Sequence, residues 1–139
     1  METKVIVKGK PIAKARPRFA RAGKFIRTYN AQESEEGKFL LLAIEQINHV
    51  FEGPIELAMF FYMPRPKSHY GTGKNEGVLK VSAPIFHTTK PDIDNLIKFP
   101  LDILNEVAWE DDRQIVKITA VKEYSEIPRT EILIKEVML

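Results

Sequence analysis

Two rhythms of apolar residues run along this chain. Val5 and Val7 alternate with Lys4, Ile6 and Lys8, which predicts a strand over residues 3–9, ended by Gly9 and Pro11. Residues 10–29 mix prolines, small residues and cations without a clear period, and are expected to form a basic loop or arm. Helical spacing follows: Leu40, Ile44, Ile47 and Phe51 recur on one face, and Asn30 with Glu33 makes a capping pair at the helix start. Glu33, Glu35 and Glu36 suit the positive end of that helix, which should stop before Gly53 and Pro54. Residues 55–63, IELAMFFYM, are apolar almost throughout, as expected of a central strand buried on both faces.

The stretch 64–90 is too long for an ordinary connection and contains Gly71, Gly73 and Gly77, so it reads as mobile or functional. From Asp94 to about Val107 the period is helical again. Residues 113–124 alternate as a strand, and 129–138 are expected to pair with them as a hairpin across Ser125–Pro128. The predicted order is β-α-β-loop-α-β-β: one α+β domain spanning 1–139, a mixed sheet of about four strands with two helices.

Charge changes this picture more than composition does. The net charge is only +2, but residues 3–32 carry nine Lys/Arg and no Asp/Glu, whereas 91–139 carry eleven acids against six bases. Such segregation predicts a positive surface beside a negative one, the pairing a metal-dependent nuclease needs for phosphate and metal. There is no cysteine, which excludes disulfide scaffolds, thiol catalysis and thiolate zinc sites. No apolar run approaches the roughly 18–20 residues that span a bilayer, and METKVIVKGK lacks a signal-peptide core, so a cytoplasmic protein without a membrane role is expected. No Walker loop is present, and no nucleotide cofactor is expected.

The candidate chemistry lies in residues 90–114, KPDIDNLIKFPLDILNEVAWEDDRQ. At roughly 100° per residue, Asp94, Lys98, Asp102 and Asn105 share one side of the helix, and Ile97, Pro100, Leu104 and Val107 share another. Asp111 and Asp112 open the next strand, where alternation aims only one of them at a common site. Two or three carboxylates from a helix start and a strand start supply hard oxygen ligands for Mg²⁺ or Mn²⁺. Leu96 and Ile97 stand where a calcium EF-hand loop needs oxygen ligands and a central glycine, and the segment before the DxD pair is not an apolar strand, as a DxD phosphatase would have.

The run HTTKPDIDNLIKFPLDILNEVAWEDDRQI resembles the signature of the RusA family of Holliday-junction resolvases. Gly9-Lys10-Pro11 through Lys14-Ala15-Arg16-Pro17-Arg18 and the segment Pro64-Arg65-Pro66-Lys67-Ser68 are also similar to that family. The resemblance implies a homodimer that binds branched DNA and makes paired, symmetric nicks with Mg²⁺ or Mn²⁺, and it makes a prophage role plausible. By position it implies metal-binding catalytic roles for Asp92, Asp94 and Asp112, with Asp111 the alternative to the last, and an assisting role for Lys98. Lys14, Arg16, Arg18, Arg21, Lys67 and Lys90 are the expected DNA contacts. A branched-DNA-binding module without cleavage is the alternative from another class, and a general phosphate-ester hydrolase acting on small molecules is a third.

Other residues have plainer expectations. His69, His87 and His49 are expected to be solvated, His49 on the first helix opposite its apolar stripe. Trp109 is expected to be a core or dimer anchor. Phe19, Phe25 and Tyr29, among cations, suit either base stacking or burial. Geometry raises one question. A helix over 95–107 spans roughly 18–20 Å, and 108–111 reach at most about 14 Å, so Asp92 and Asp112 meet in one subunit only if the helix starts late or bends near Pro100. Otherwise a twofold partner supplies one carboxylate. The resemblance favours closure within the subunit.

Overall fold

The computed structural model describes residues 1–15, 18–22, 25–29 and 33–138, the side chains of 18–29 excepted. Its elements run β1 (Glu2–Lys8), β2 (Arg18–Ala22), β3 (Phe25–Tyr29), α1 (Glu33–Ile44), β4 (Ile55–Pro64), α2 (Ile93–Leu104), β5 (Ile115–Ser125) and β6 (Arg129–Glu136). β1, β6, β4 and β5 form one mixed sheet in that order, confirming the α+β class, and β2 pairs with β3 in a separate two-stranded ribbon. The expected loop or arm thus contains a hairpin that the irregular mixture of cations and apolar residues did not announce.

β4 is central, but its residues alternate between fully and half-buried. Ile55, Leu57, Met59, Phe61 and Met63 face the core, whereas Phe60 and Tyr62 lie on the half-covered face, so burial on both faces is not what its composition reports. Both helices pack on the core side. Phe39 of α1 meets Phe99 of α2 edge to face, with ring centroids 5.6 Å apart. Lys14 joins the same two helices, its Nζ 3.0 Å from Glu36 and 3.3 Å from Asp102.

Three sequence expectations are corrected. α1 ends at Ile44, and its buried residues are Phe39 and Ala43; Ile44 is largely exposed, and Phe51 reaches the core from beyond the helix. The capping pair at Asn30 lies outside the described residues. Gln46, just past α1, closes on β1 instead: its Oε1 accepts from Ile6 N–H and its Nε2 donates to Ile6 C=O, both at 2.8 Å. Next, α2 turns Leu96, Phe99, Pro100 and Leu104 to the core, while Val107 falls outside the helix. The shift of one residue from the expected stripe leaves Asp94, Lys98 and Asp102 exposed as expected.

Finally, β5 and β6 do not pair. β4 lies between them, parallel to β5 and antiparallel to β6. The chain crosses the end of β4 at Pro64, spanning two inter-strand gaps of about 4.8 Å each, well within the reach of residues 126–128. Arg129 fixes the crossing by donating to Ser125 Oγ and Ile127 C=O at 3.2 and 2.8 Å. Two neighbouring alternating strands cannot be told from a hairpin by period alone.

Candidate active site

Asp92 is the N-cap of α2, yet its carboxylate accepts no capping hydrogen bond, so its oxygens are not committed to the helix. Asp94 lies in the first turn and Lys98 one turn on, all three exposed. The positive end of the helix dipole at this point offsets part of the repulsion between the two carboxylates. The first main-chain bond of the helix runs from Leu96 N–H to Asp92 C=O.

The segment leading into Asp92 is tied to β5. Lys122 Nζ donates to Thr89 C=O and Pro91 C=O, each at 2.8 Å. His87 N–H donates to Lys122 C=O, and Tyr124 N–H to Ile85 C=O, so residues 85–87 lie along the last turn of that strand. Tyr124 is a hub: the edges of His69 and His87 meet its ring, and the Arg65 guanidinium lies 5.3 Å from its centroid. Arg65 also donates to Pro84 C=O at 2.7 Å, which closes the base of the 64–90 loop. That loop contains 3₁₀ turns at Lys67–His69 and Gly73–Asn75. Gly71 is required there, because a Cβ would meet Asn75 Cβ at 2.6 Å.

The histidine expectations are overturned. His87 is buried, with Nε2 3.2 Å from Thr89 Oγ1 and Nδ1 without a partner among the described residues. Burial, then the cations Lys122 and Lys10, hold its pKa below the ordinary value. His69 packs on Tyr124. His49 lies past α1 against Phe51, its Nε2 buried.

At the far end of α2 the chain turns sharply through Glu106 (φ +68°) to Trp109, which is fully buried and therefore a core anchor. Trp109 Nε1 donates to Asp112 Oδ1 at 2.8 Å. Asp111 and Asp112 do not open a strand. Asp111 caps a 3₁₀ turn over Asp112–Gln114, accepting from Arg113 N–H while Gln114 accepts from Asp111 N–H. Asp111 therefore has a structural task, and Asp112 retains an oxygen that the indole does not engage.

The structure brings Asp92, Asp94 and Lys98 together and leaves Asp112 apart. Among the described residues, no group of three or more His, Asp or Glu side chains converges to hold a metal ion. Asp92 adjoins the carbonyls bound by Lys122, near the end of β5, while Asp112 precedes the start of that strand. From Ile115 to Lys122 the strand advances about 23 Å at 3.3 Å per residue, so the two aspartates belong to opposite ends of that stretch.

Of the expected DNA contacts, Lys67 and Lys90 are exposed, whereas Lys14 is engaged by Glu36 and Asp102. The hydrogen bond to Glu36 is the main cause of its raised pKa, with Asp102 adding to it against partial burial. Arg16 lies outside the described residues, and so do the side chains of Arg18, Arg21, Phe19, Phe25 and Tyr29. Sequence reasoning missed Lys122 and Tyr124. A signal existed: both fall on the core side of an alternating strand after Ile118 and Ala120, where a lysine has to find a partner.

The model of the endodeoxyribonuclease RusA family matches residues 8–135. The chain belongs to the RusA family of endodeoxyribonucleases. It is also 34% identical over 142 residues to the uncharacterized protein YqaN of Bacillus subtilis (strain 168), with 96% of each chain covered. Among the described residues, no helix is long and apolar enough to cross a membrane.

Proposed function

We propose that this RusA-family chain resolves Holliday junctions by paired, symmetric nicks that depend on Mg²⁺ or Mn²⁺, acting as a homodimer. The observation that carries the reading is the KPDIDN segment, inside the stretch that matches the family, at an exposed helix start: the Asp92 carboxylate makes no capping hydrogen bond, and Asp94 and Lys98 are exposed within the next turn and a half. The two carboxylates are hard oxygen donors of the kind such ions take, so two of the three implied ligands fit within one chain, and Asp112 does not. Asp92 and Asp94 would hold a divalent cation there, which would supply charge stabilisation and an activated water for attack on a phosphodiester.

The chain's own residues do the rest. Lys122 fixes the carbonyls of Thr89 and Pro91, and with them the approach to Asp92. Lys98 places a cation one turn beyond Asp94, within reach of a phosphate held at the helix start. The basic segment before α1 and the exposed Lys67 and Lys90 hold the DNA backbone. The test is to incubate the pure protein with labelled four-way junction, linear duplex and a small phosphodiester, with and without Mg²⁺. Paired nicks confined to the junction and dependent on Mg²⁺ are expected. Junction binding without nicking would leave a non-cleaving binding module, and hydrolysis of the small ester alone would leave a phosphodiesterase.

A further inference from the structure

The loop of residues 64–90 is built rather than slack. Residues 69–71 run beside residues 78–80: Lys80 N–H donates to His69 C=O and Gly71 N–H to Val78 C=O, each at 2.9 Å. Tyr70 and Leu79 form an antiparallel bridge between these two arms. Its root is the bond from Arg65 to Pro84 C=O and the ring cluster on Tyr124, and the same root leads through residues 85–87 to Asp92. Residues 66–84 therefore form a projection fixed to the frame that positions the candidate site.

The projection presents side chains that its own fold does not use. Ala83 N–H donates to Lys80 C=O at 3.1 Å, which closes a turn with Val81 at its tip, fully exposed. Turn tips favour Gly, Pro, Asn, Asp and Ser, and a valine there buries nothing in the folded chain. Val78 and Leu79 are exposed beside it. Single exposed apolar residues are ordinary, but three within four positions make a patch. Lys67, Lys74 and Lys80 are exposed too, against Glu76 as the one acid of residues 66–84. Apolar side chains interleaved with cations match a nucleic acid that offers bare base faces between phosphates.

We infer that this projection reads the branch point: Val78, Leu79 and Val81 pack against base pairs at the centre of a four-way junction, and Lys67, Lys74 and Lys80 hold the phosphates around it. The inference rests on the junction-resolvase reading above and adds to it a source of branch selectivity. Phosphate contacts cannot supply that selectivity, because linear duplex offers the same phosphates. An open junction differs at its centre, where each bordering base pair has one face without a stacked neighbour. Covering such a face with aliphatic side chains removes apolar surface from water on both partners. Val81 lies at most about 14 Å from Ile85, which is bonded to Tyr124 near the end of β5, so the tip stays tied to the frame that fixes the approach to Asp92.

The test measures affinity for a four-way junction and for linear duplex of the same sequence, without added metal, for wild type, Val81→Ser and the Leu79→Ser/Val81→Ser double variant. Val81→Ser loses no packing in the folded chain, because its side chain is fully exposed. Its junction affinity is expected to fall about tenfold, the scale of burying one valine side chain, with duplex affinity unchanged. A 2-aminopurine beside the branch should brighten when wild type binds and stay dim with the double variant. Junction affinity unchanged in Val81→Ser, or an equal loss on junction and duplex, would overturn the inference. So would a smaller assembly of Val81→Ser than of wild type in sedimentation without DNA, which would give the patch to another protein chain. A wild-type protein that prefers the junction but nicks none, with that preference lost in Val81→Ser, would instead refute the resolvase reading and leave the branch reader standing.

Discussion

Replacing Lys122 with methionine keeps most of the aliphatic stem and removes the ammonium that donates to Thr89 C=O and Pro91 C=O at 2.8 Å each. Hydrogen bonds from a charged donor are worth about 1.5–3 kcal/mol apiece, but this side chain is only half-buried and water can replace part of the loss, so a total of about 1–3 kcal/mol is expected. For a domain of this size that corresponds to roughly 3–10 °C in melting temperature. Nicking should suffer more than stability, because the carbonyls lead directly into Asp92. A misplacement of an ångström at a reacting centre costs on the order of 100-fold. The assay is a urea titration alongside single-turnover junction cleavage and junction binding by gel shift. Lys122→Met should bind the junction within about twofold of wild type while nicking at least roughly tenfold more slowly, about 1.4 kcal/mol of barrier. Stability within 0.5 kcal/mol of wild type and an unchanged nicking rate, on the scale of an ordinary surface substitution at about ±0.5 kcal/mol, would show that the tether does not position Asp92.

Trp109→Phe removes the 2.8 Å bond to Asp112 and leaves a small cavity, so a loss of about 2–4 kcal/mol in urea unfolding is expected, with slower nicking and intact junction affinity. Replacing Arg16 and Arg18 together should weaken binding to every DNA sequence and flatten the salt dependence by roughly one log–log unit per lost phosphate contact; an unchanged slope places them away from the DNA. Thermal stability should decline as pH falls below about 6.5, because buried His87 takes a proton less readily in the folded chain than in the unfolded one. A further decline is expected below about 4.5: Glu131 is raised by burial but lowered more by its pairs with Arg129 and Lys4, so its stabilisation is present above that pH and lost beneath it. His87→Gln should flatten the first step and leave the second in place.

Much of the fold was legible because its period was strong. β1 and β4 carry their own alternation, and α2 separates Leu96, Phe99 and Leu104 from Asp94, Lys98 and Asp102. What escaped was long-range. Nothing in 113–138 says that β4 lies between β5 and β6, since partner choice depends on where the chain can cross, and here it crosses at Pro64. α1 was overextended because Ile47 and Phe51 keep helical spacing after the helix has ended, and both still pack on the core. The DxD pair was legible from its chemistry and its motif. Its support was not, because Lys122 and His87 act across more than thirty residues of sequence or through burial that a single loop histidine does not advertise. The placement of Asp112 was open on geometry. Closure within the subunit finds no support in an α2 that carries Pro100 as one continuous helix.

The most direct test of the central claim is cleavage of a labelled four-way junction by Asp92→Asn, with binding measured on the same preparation. Asparagine keeps the shape of the side chain and removes the charge that holds the metal. Cleavage should fall below detection while junction affinity is retained or rises as repulsion of phosphate lessens. Cleavage within about tenfold of wild type, roughly 1.4 kcal/mol of barrier, would contradict the assignment of Asp92 to the metal site.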